Sequence, residues 1–178
     1  MLTDADLVRQ SLAGSAHAFE TLVDRHYDHC LRYAARLLGN REDAEEACQD
    51  AFLRAYRALD GYAESDRFGA WLYRILINRC RSYAARRRGT MEDATDSEAL
   101  ANLPASRNAE AETLGLREEL ARAIAQLDID QREAFLLKHV DDLSYDEISV
   151  ITGVGVSALK MRVKRACDRL RDLLSDES

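Results

Sequence analysis

The chain has 178 residues, enough for one domain or two small ones, and 47% of them are apolar, ample for packed cores. One proline, eight glycines and abundant Ala, Leu, Arg and Glu favour helix nearly everywhere. The net charge of −7 argues against a uniformly nucleic-acid-binding surface, and no apolar run reaches bilayer-spanning length. The first ten residues also lack the apolar core of a signal peptide, so the expected location is the cytoplasm.

Charge is segregated along the chain. Residues 61–90 carry a net +5 and residues 154–178 a net +2, whereas residues 1–60, 91–120 and 121–153 carry −4, −6 and −4. Two separated basic places on a chain that otherwise repels polyanions point to two local DNA contacts.

In chain order, Thr3 can cap a short helix ending near Gly14, and Ser15 can cap the next. From Phe19 the apolar positions Leu22, Val23, Tyr27, Cys30, Leu31, Ala34, Leu37 and Leu38 form one stripe of a long amphipathic helix, closed by Gly39-Asn40. Asn40 can cap a third helix that buries Ala44, Ala47, Cys48, Ala51, Phe52, Ala55 and Leu59 before Asp60-Gly61 breaks it. A looser stretch leads into a helix over about 68–87, with Trp71, Leu72, Ile75 and Cys80 inward. Residues 89–113 hold the only proline and many small or acidic residues without a sustained period, and read as an acidic linker, mobile unless a partner orders it.

Beyond it, Leu116, Leu120, Ile124 and Leu127 mark one helix, and Ala134, Phe135, Leu136 and Val140 a second. Leu143–Leu173 then reads as a helix-turn-helix. Ser144 and Glu147 form a capping box, and Leu143 with Ile148 a hydrophobic staple. Gly153 suits a left-handed helix stop, Gly155 a tight turn, and Ser157 the cap of a second helix packed through Leu159, Val163, Ala166, Leu170 and Leu173. Between those apolar positions stand Lys160, Arg162, Lys164 and Arg165. A lysine in the first turn, where a carboxylate is favourable, makes sense if that helix end faces phosphate.

Cys30, Cys48, Cys80 and Cys167 show no CxxC spacing and read as reduced, mostly buried thiols. His26 and Cys30 share a helix face near His29, but no clear fourth ligand stands nearby, and no metal or cofactor is expected. There is no HExxH, no phosphate-binding glycine loop and no carboxylate cluster near the basic helices, so no enzyme is expected.

Three segments in this order resemble the extracytoplasmic-function (ECF) sigma factors of bacterial RNA polymerase. DAEEACQDAFLRAYRAL (43–59) is similar to the family's region 2.2. FGAWLYRILINRCRSYAARRR (68–88) resembles the WLYRI…N…RR pattern of regions 2.3–2.4, and residues 127–170 resemble region 4. The resemblance implies an all-α chain of two small helical domains. Residues 1–88 would be region 2-like, residues 89–113 the linker and residues 114–178 the region 4-like helix-turn-helix.

It also implies site residues. Glu45, Glu46, Gln49, Asp50 and Leu53 would dock on the clamp coiled coil of the polymerase's largest subunit, and the flap region of its second subunit is a further expected contact. Tyr62, Ser65, Arg67, Trp71, Arg74, Asn78 and Arg81 would handle the −10 element, with rings at Tyr62, Phe68, Trp71 and Tyr73 available for base stacking. Among these, Phe68 and Trp71 read more readily as core. Ser157, Lys160, Met161 and Arg162 would meet −35 base edges, and Lys164 and Arg165 phosphate. Gly155, Ser157, Ala158 and Met161 depart from the family's usual Pro, Gly, Thr and Ser, which bears on −35 specificity. An anti-sigma factor is an expected partner. The alternative is a helix-turn-helix regulator that binds duplex DNA without a polymerase.

Overall fold

A computed structural model describes residues 2–63, 67–90 and 111–175. Helices α1 (Asp4–Leu12), α2 (Ala16–Leu38) and α3 (Arg41–Ala58) are followed by a 3-10 turn over Leu59–Gly61 and by α4 (Phe68–Thr90). Helices α5 (Ala111–Ala125), α6 (Ile129–Phe135), α7 (Tyr145–Thr152) and α8 (Val156–Ser175) make the second half, with a π turn over Leu136–Val140 extending α6. Among the described residues there is no strand. The chain is all-α, in two helical bundles.

The helix ends follow local chemistry. Thr3 and Asp6 make a reciprocal capping box, Ser15 Oγ accepts from Ala18 N–H, and Asn40 Oδ1 accepts from Asp43 N–H at 2.7 Å. Ser144 and Glu147 make the second capping box, with Leu143 and Ile148 both packed into the core. Gly39 and Gly153 close α2 and α7 in the left-handed conformation (φ 78° and 71°), which costs a glycine least. Ser157 departs from expectation. Helix α8 already begins at Val156, and the Gly155 carbonyl accepts from Leu159 N–H, so Ser157 lies exposed inside the first turn and caps nothing.

Helix α4 runs on to Thr90 and α5 starts at Ala111, so helices take up both ends of the expected linker, and residues 91–110 lie outside the described residues. In the first half, α2, α3 and α4 pack through Leu22, Leu37, Cys48, Phe52, Leu72, Leu76, Ile77 and Cys80. On α4 the expected Leu72 and Cys80 are buried, Tyr73, Leu76 and Ile77 are buried with them, and Trp71 and Ile75 are only half-buried. In the second half, Leu137, Ile148, Leu159 and Val163 fill the helix-turn-helix core. Leu120 and Val140, expected inward, are 39% and 42% exposed. The π turn causes the second difference, because its wider coil rotates Val140 off the stripe that an α-helix would continue.

The two serines separate capping from helix membership. Ser144→Ala is expected to lower unfolding stability by about 1 kcal/mol through loss of the capping box. Ser157→Ala is expected to be neutral within about 0.5 kcal/mol. Urea denaturation midpoints of the two variants check both.

Candidate nucleic-acid and polymerase interfaces

The outward face of α3 presents Glu46, Gln49 and Leu53 to solvent, with Leu53 55% exposed. Tyr56, one turn on, extends that patch and packs edge-on against Phe19 at 4.9 Å. Glu45 and Asp50 are less free than sequence spacing implied. Glu45 accepts from Arg41 Nε at 2.7 Å. Asp50 accepts from Arg54 Nε at 3.1 Å and from Arg79 Nη1 of α4 at 3.3 Å, and so ties α3 to α4. Partial burial acts to raise the Asp50 carboxyl, but the Arg54 and Arg79 guanidiniums prevail and hold it below its ordinary value. Sequence reasoning missed Tyr56 and Arg79. The i, i+3 step from Leu53 could have flagged the first; the second needs the α3–α4 packing.

At the start of α4, Tyr62, Phe68 and Trp71 form a triangle of rings with centroids 5.2–6.0 Å apart. Phe68 is buried and braced by the His26 ring at 5.4 Å, and His26 is held by Asp4 Oδ2 at 2.8 Å. Trp71 and Tyr62 are half-buried, leaving part of each ring accessible, and Arg67 is exposed beside them. Ser65 lies outside the described residues. Tyr73 is not available for stacking. It is buried, its ring lies 4.9 Å from Tyr33, and its hydroxyl donates to Asp141 Oδ2 at 2.7 Å.

Further along α4, Asn78 is exposed, while Arg74 is half-buried with an Nε that finds no partner among the described residues. Arg81 was expected on the same outward face but turns to the second half. Its Nε and Nη2 bind the two Glu133 oxygens at 2.7 and 2.6 Å, and its Nη1 donates to the Thr152 carbonyl at 2.9 Å. A charged residue read as a surface contact is therefore a half-buried partner of a buried carboxylate.

The first turns of α8 expose Ser157, Lys160 and Met161, and further on Lys164 and Arg165. The Lys160 ammonium lies over the Tyr145 ring, 5.8 Å from its centroid, where the ring face attracts the cation. Arg162 is less accessible and pairs with Asp130 at 3.2 Å, and Lys164 pairs with Asp168 at 2.8 Å. Both pairs are at least partly exposed and readily exchanged for phosphate.

Cys30, Cys48 and Cys80 are buried, and burial pushes all three thiols up, the first two to about 12. They are packing groups at neutral pH. Among the described residues no three His, Cys, Asp or Glu side chains are arranged to hold a metal ion, and no helix is long and apolar enough to cross a membrane.

A helical bundle with an exposed acidic-apolar helix and an aromatic cluster, followed by a helix-turn-helix with a basic second helix, defines a two-part DNA-binding protein. Comparisons with known proteins agree. Residues 22–90 match the Sigma-70 region 2 family model, and residues 117–170 match Sigma-70, region 4. The chain is 35% identical over 174 residues to the ECF RNA polymerase sigma-E factor of Escherichia coli K12, covering 93% of this chain and 91% of that protein. It is 33% identical over 163 residues to the RNA polymerase sigma factor CarQ of Myxococcus xanthus, covering 92% of each. Among solved structures it resembles the sigma factor RpoE of Bartonella quintana, crystallised with the anti-sigma factor NepR. The TM-score is 0.73 and the identity 27%, over 88% of this chain and 96% of that one. It also resembles CnrH, solved with the cytosolic domain of CnrY (TM-score 0.68, 30% identity, 98% and 99% covered). The chain belongs to the ECF sigma factors of the sigma-70 family, and its function is that of an RNA polymerase sigma subunit.

The Asp50 contacts predict a pH-dependent stability term. A carboxyl lowered in the folded state contributes stability that is fully present well above its ordinary value of 3.8 and is lost as pH falls through the lowered value. Asp50→Asn is expected to cost no more than about 1 kcal/mol at pH ~7, as befits a partly exposed pair, and nothing near pH ~2. Urea titrations of both proteins at the two pH values measure the difference.

Proposed function

We propose that residues 1–88 form the unit that binds core polymerase and handles the −10 element, and residues 114–178 the unit that reads the −35 element. The outward face of α8 carries this reading. Ser157, Lys160 and Met161 are exposed at the end of the helix that leads out of the turn, the part of a recognition helix that reaches base edges, and Lys164 and Arg165 flank it for phosphate. Ser157 and Met161, which depart from the glycine and serine of the pattern the resemblance implies, would give this helix its own preference for bases.

In the first unit, the exposed Glu46, Gln49 and Leu53 offer an acidic rim around an apolar centre, which suits the clamp coiled coil, with Glu45 and Asp50 at its edge. The Tyr62–Phe68–Trp71 cluster supplies a stacking platform through its accessible rings, Tyr62 and Trp71. Arg67, Arg74 and Asn78 lie along the start of α4, where phosphates and strand edges can be held as the duplex opens, with Arg67 and Asn78 exposed. Binding extruded bases offsets unstacking. Phosphodiester chemistry belongs to the polymerase, so this subunit performs no catalysis of its own. An anti-sigma factor is proposed as a partner, because a resembling sigma factor was crystallised with one. The second unit is proposed to contact the polymerase flap, and the complex to act in the cytoplasm.

Run-off transcription with bacterial core polymerase on a library of promoter fragments tests the reading, with discrete starts absent from core alone as the expected result. Duplex binding by the chain alone, with no transcripts, would instead favour a regulator. Lys160→Ala is expected to cost about 1–3 kcal/mol at one −35 position and relax the preference there. Lys164→Ala is expected to weaken binding at all sequences alike and reduce the salt slope by about 1. Asn78→Ala is expected to slow open-complex formation on duplex templates more than on pre-melted ones.

A further inference from the structure

Between the start of α4 and the turn that leads into α7 the fold leaves a cleft of about 920 Å³, the size of a small-molecule site. Tyr62, Phe68 and Tyr73 supply aromatic walls. Among the described residues that line it, the carboxylates of Asp4, Asp141 and Glu147 stand against the single guanidinium of Arg67. Two of these carboxylates are committed. Asp4 holds Arg25 and His26 at 2.8 Å each, and Glu147 closes the capping box with Ser144. Asp141 is not. Its side chain is only 8% exposed, and one oxygen accepts from the Tyr73 hydroxyl at 2.7 Å. The other oxygen lies 3.7 Å from His29 Nε2, beyond hydrogen-bond range, and among the described residues no arginine or lysine is bonded to it. Burial accordingly holds this carboxyl above its ordinary value, against the pull of Tyr73, His29 and Arg36.

The backbone is bent to present that side chain. The π turn over Leu136–Val140 ends with Asp141 N–H donating to the Leu136 carbonyl at 3.0 Å. Asp142 then takes φ 52°, a left-handed conformation that is uncommon away from glycine. Backbone outliers of this kind gather at ligand sites, where the strain holds a group in place.

We propose that this cleft binds a small organic cation, a primary ammonium or guanidinium on an aromatic body, with Asp141 as its counter-charge. The cation donates to the spare acceptor of a nearly buried carboxylate, the arrangement in which a charge-assisted hydrogen bond is strongest. The Tyr62 and Phe68 rings, 6.0 Å apart and edge to face, take the apolar body. An anion is disfavoured by the excess of carboxylates. A ligand seated here touches Tyr62 and Arg67 of the first unit and Leu143 and Ile151 of the second, so it favours the arrangement in which both line the cleft. It also covers two residues assigned to the −10 element, which makes it an inhibitor of promoter binding. That consequence rests on the proposed −10 assignment, whereas the site itself does not.

Dansylcadaverine, a primary ammonium joined by an alkyl chain to a naphthalene ring, is the probe, titrated into the full chain by fluorescence and calorimetry. One saturable site is expected, with a dissociation constant of about 0.01–1 mM. The N-acetylated probe keeps the body and loses the charge, and is expected to bind at least about tenfold more weakly. Asp141→Asn keeps an acceptor for Tyr73 and loses the charge. It is expected to weaken the ammonium probe about tenfold and leave the acetylated one unchanged. Ala70→Leu fills the cleft from its wall and is expected to weaken both probes. If Asp141→Asn loses helix by circular dichroism, Ala70→Leu and the acetylated probe decide. No saturation at millimolar probe, equal binding of the two probes by wild type, or full affinity in both variants overturns the site. In run-off transcription with core polymerase, probe at about ten times its dissociation constant is expected to slow promoter-complex formation about tenfold. Binding that leaves transcription unchanged keeps the site and overturns its inhibitory use. Probe binding by a chain that starts no transcripts even without probe overturns the promoter-contact assignments and leaves the site standing.

Discussion

The arrangement of the two units turns on one buried carboxylate. Glu133 sits in α6 with almost no solvent contact, and an ionised carboxylate in such a place is tolerated only with a fixed counter-charge and satisfied lone pairs. Among the described residues the charged donor bonded to it comes from the other unit, Arg81. That pair works together with one hydrophobic core, which runs from Leu72, Leu76 and Ile77 of α4 into Leu136, Leu137 and Ile148 of the second unit. The Arg132 bond to the α2 carbonyl and the Tyr73–Asp141 hydrogen bond join the same two units.

Helix α4 serves three neighbours from one cylinder. Its N-terminal end carries the aromatic triangle, braced from behind by His26 and Asp4. Its middle buries Leu72, Leu76 and Ile77 against α2 and α3, and Arg79 reaches Asp50 on the α3 face assigned to the polymerase. The remaining side, Tyr73 and Arg81, meets the second unit. Because one helix joins all three surfaces, whatever binds α3 or the aromatic end of α4 shares a body with the contact to the second unit. Rigid elements with two possible sets of partners are the physical means by which such sites become coupled.

The second unit divides its chemistry more simply. Buried Ile148, Leu159 and Val163 hold the angle between α7 and α8, and the left-handed Gly153 lets the chain turn between them. The outward residues of α8 are then free to differ from relatives without disturbing the packing. In the proposed reading, affinity for phosphate and preference for bases reside in different side chains of the same helix.

The sequence alone determined most of what is local. The caps at Thr3, Ser15, Asn40 and Ser144, the stops at Gly39 and Gly153 and the apolar stripes of α2 and α3 are decided within a few residues, and each stands where the pattern placed it. The motif order was legible for the same reason, because it consists of contiguous segments. Ser157 was misplaced because Ser157 and the residues just before it offer competing helix starts, and Val140 because a π turn leaves no periodic mark of its own. Only the tertiary structure decided the fate of the polar residues on α4. Arg81 and Asn78 look alike on a helical wheel, yet one is bound and the other exposed, since the difference lies in a carboxylate 52 residues away. Helical periodicity tells which side of a helix is apolar. Whether a charge on the other side meets water or a partner depends on long-range packing, which no local pattern encodes.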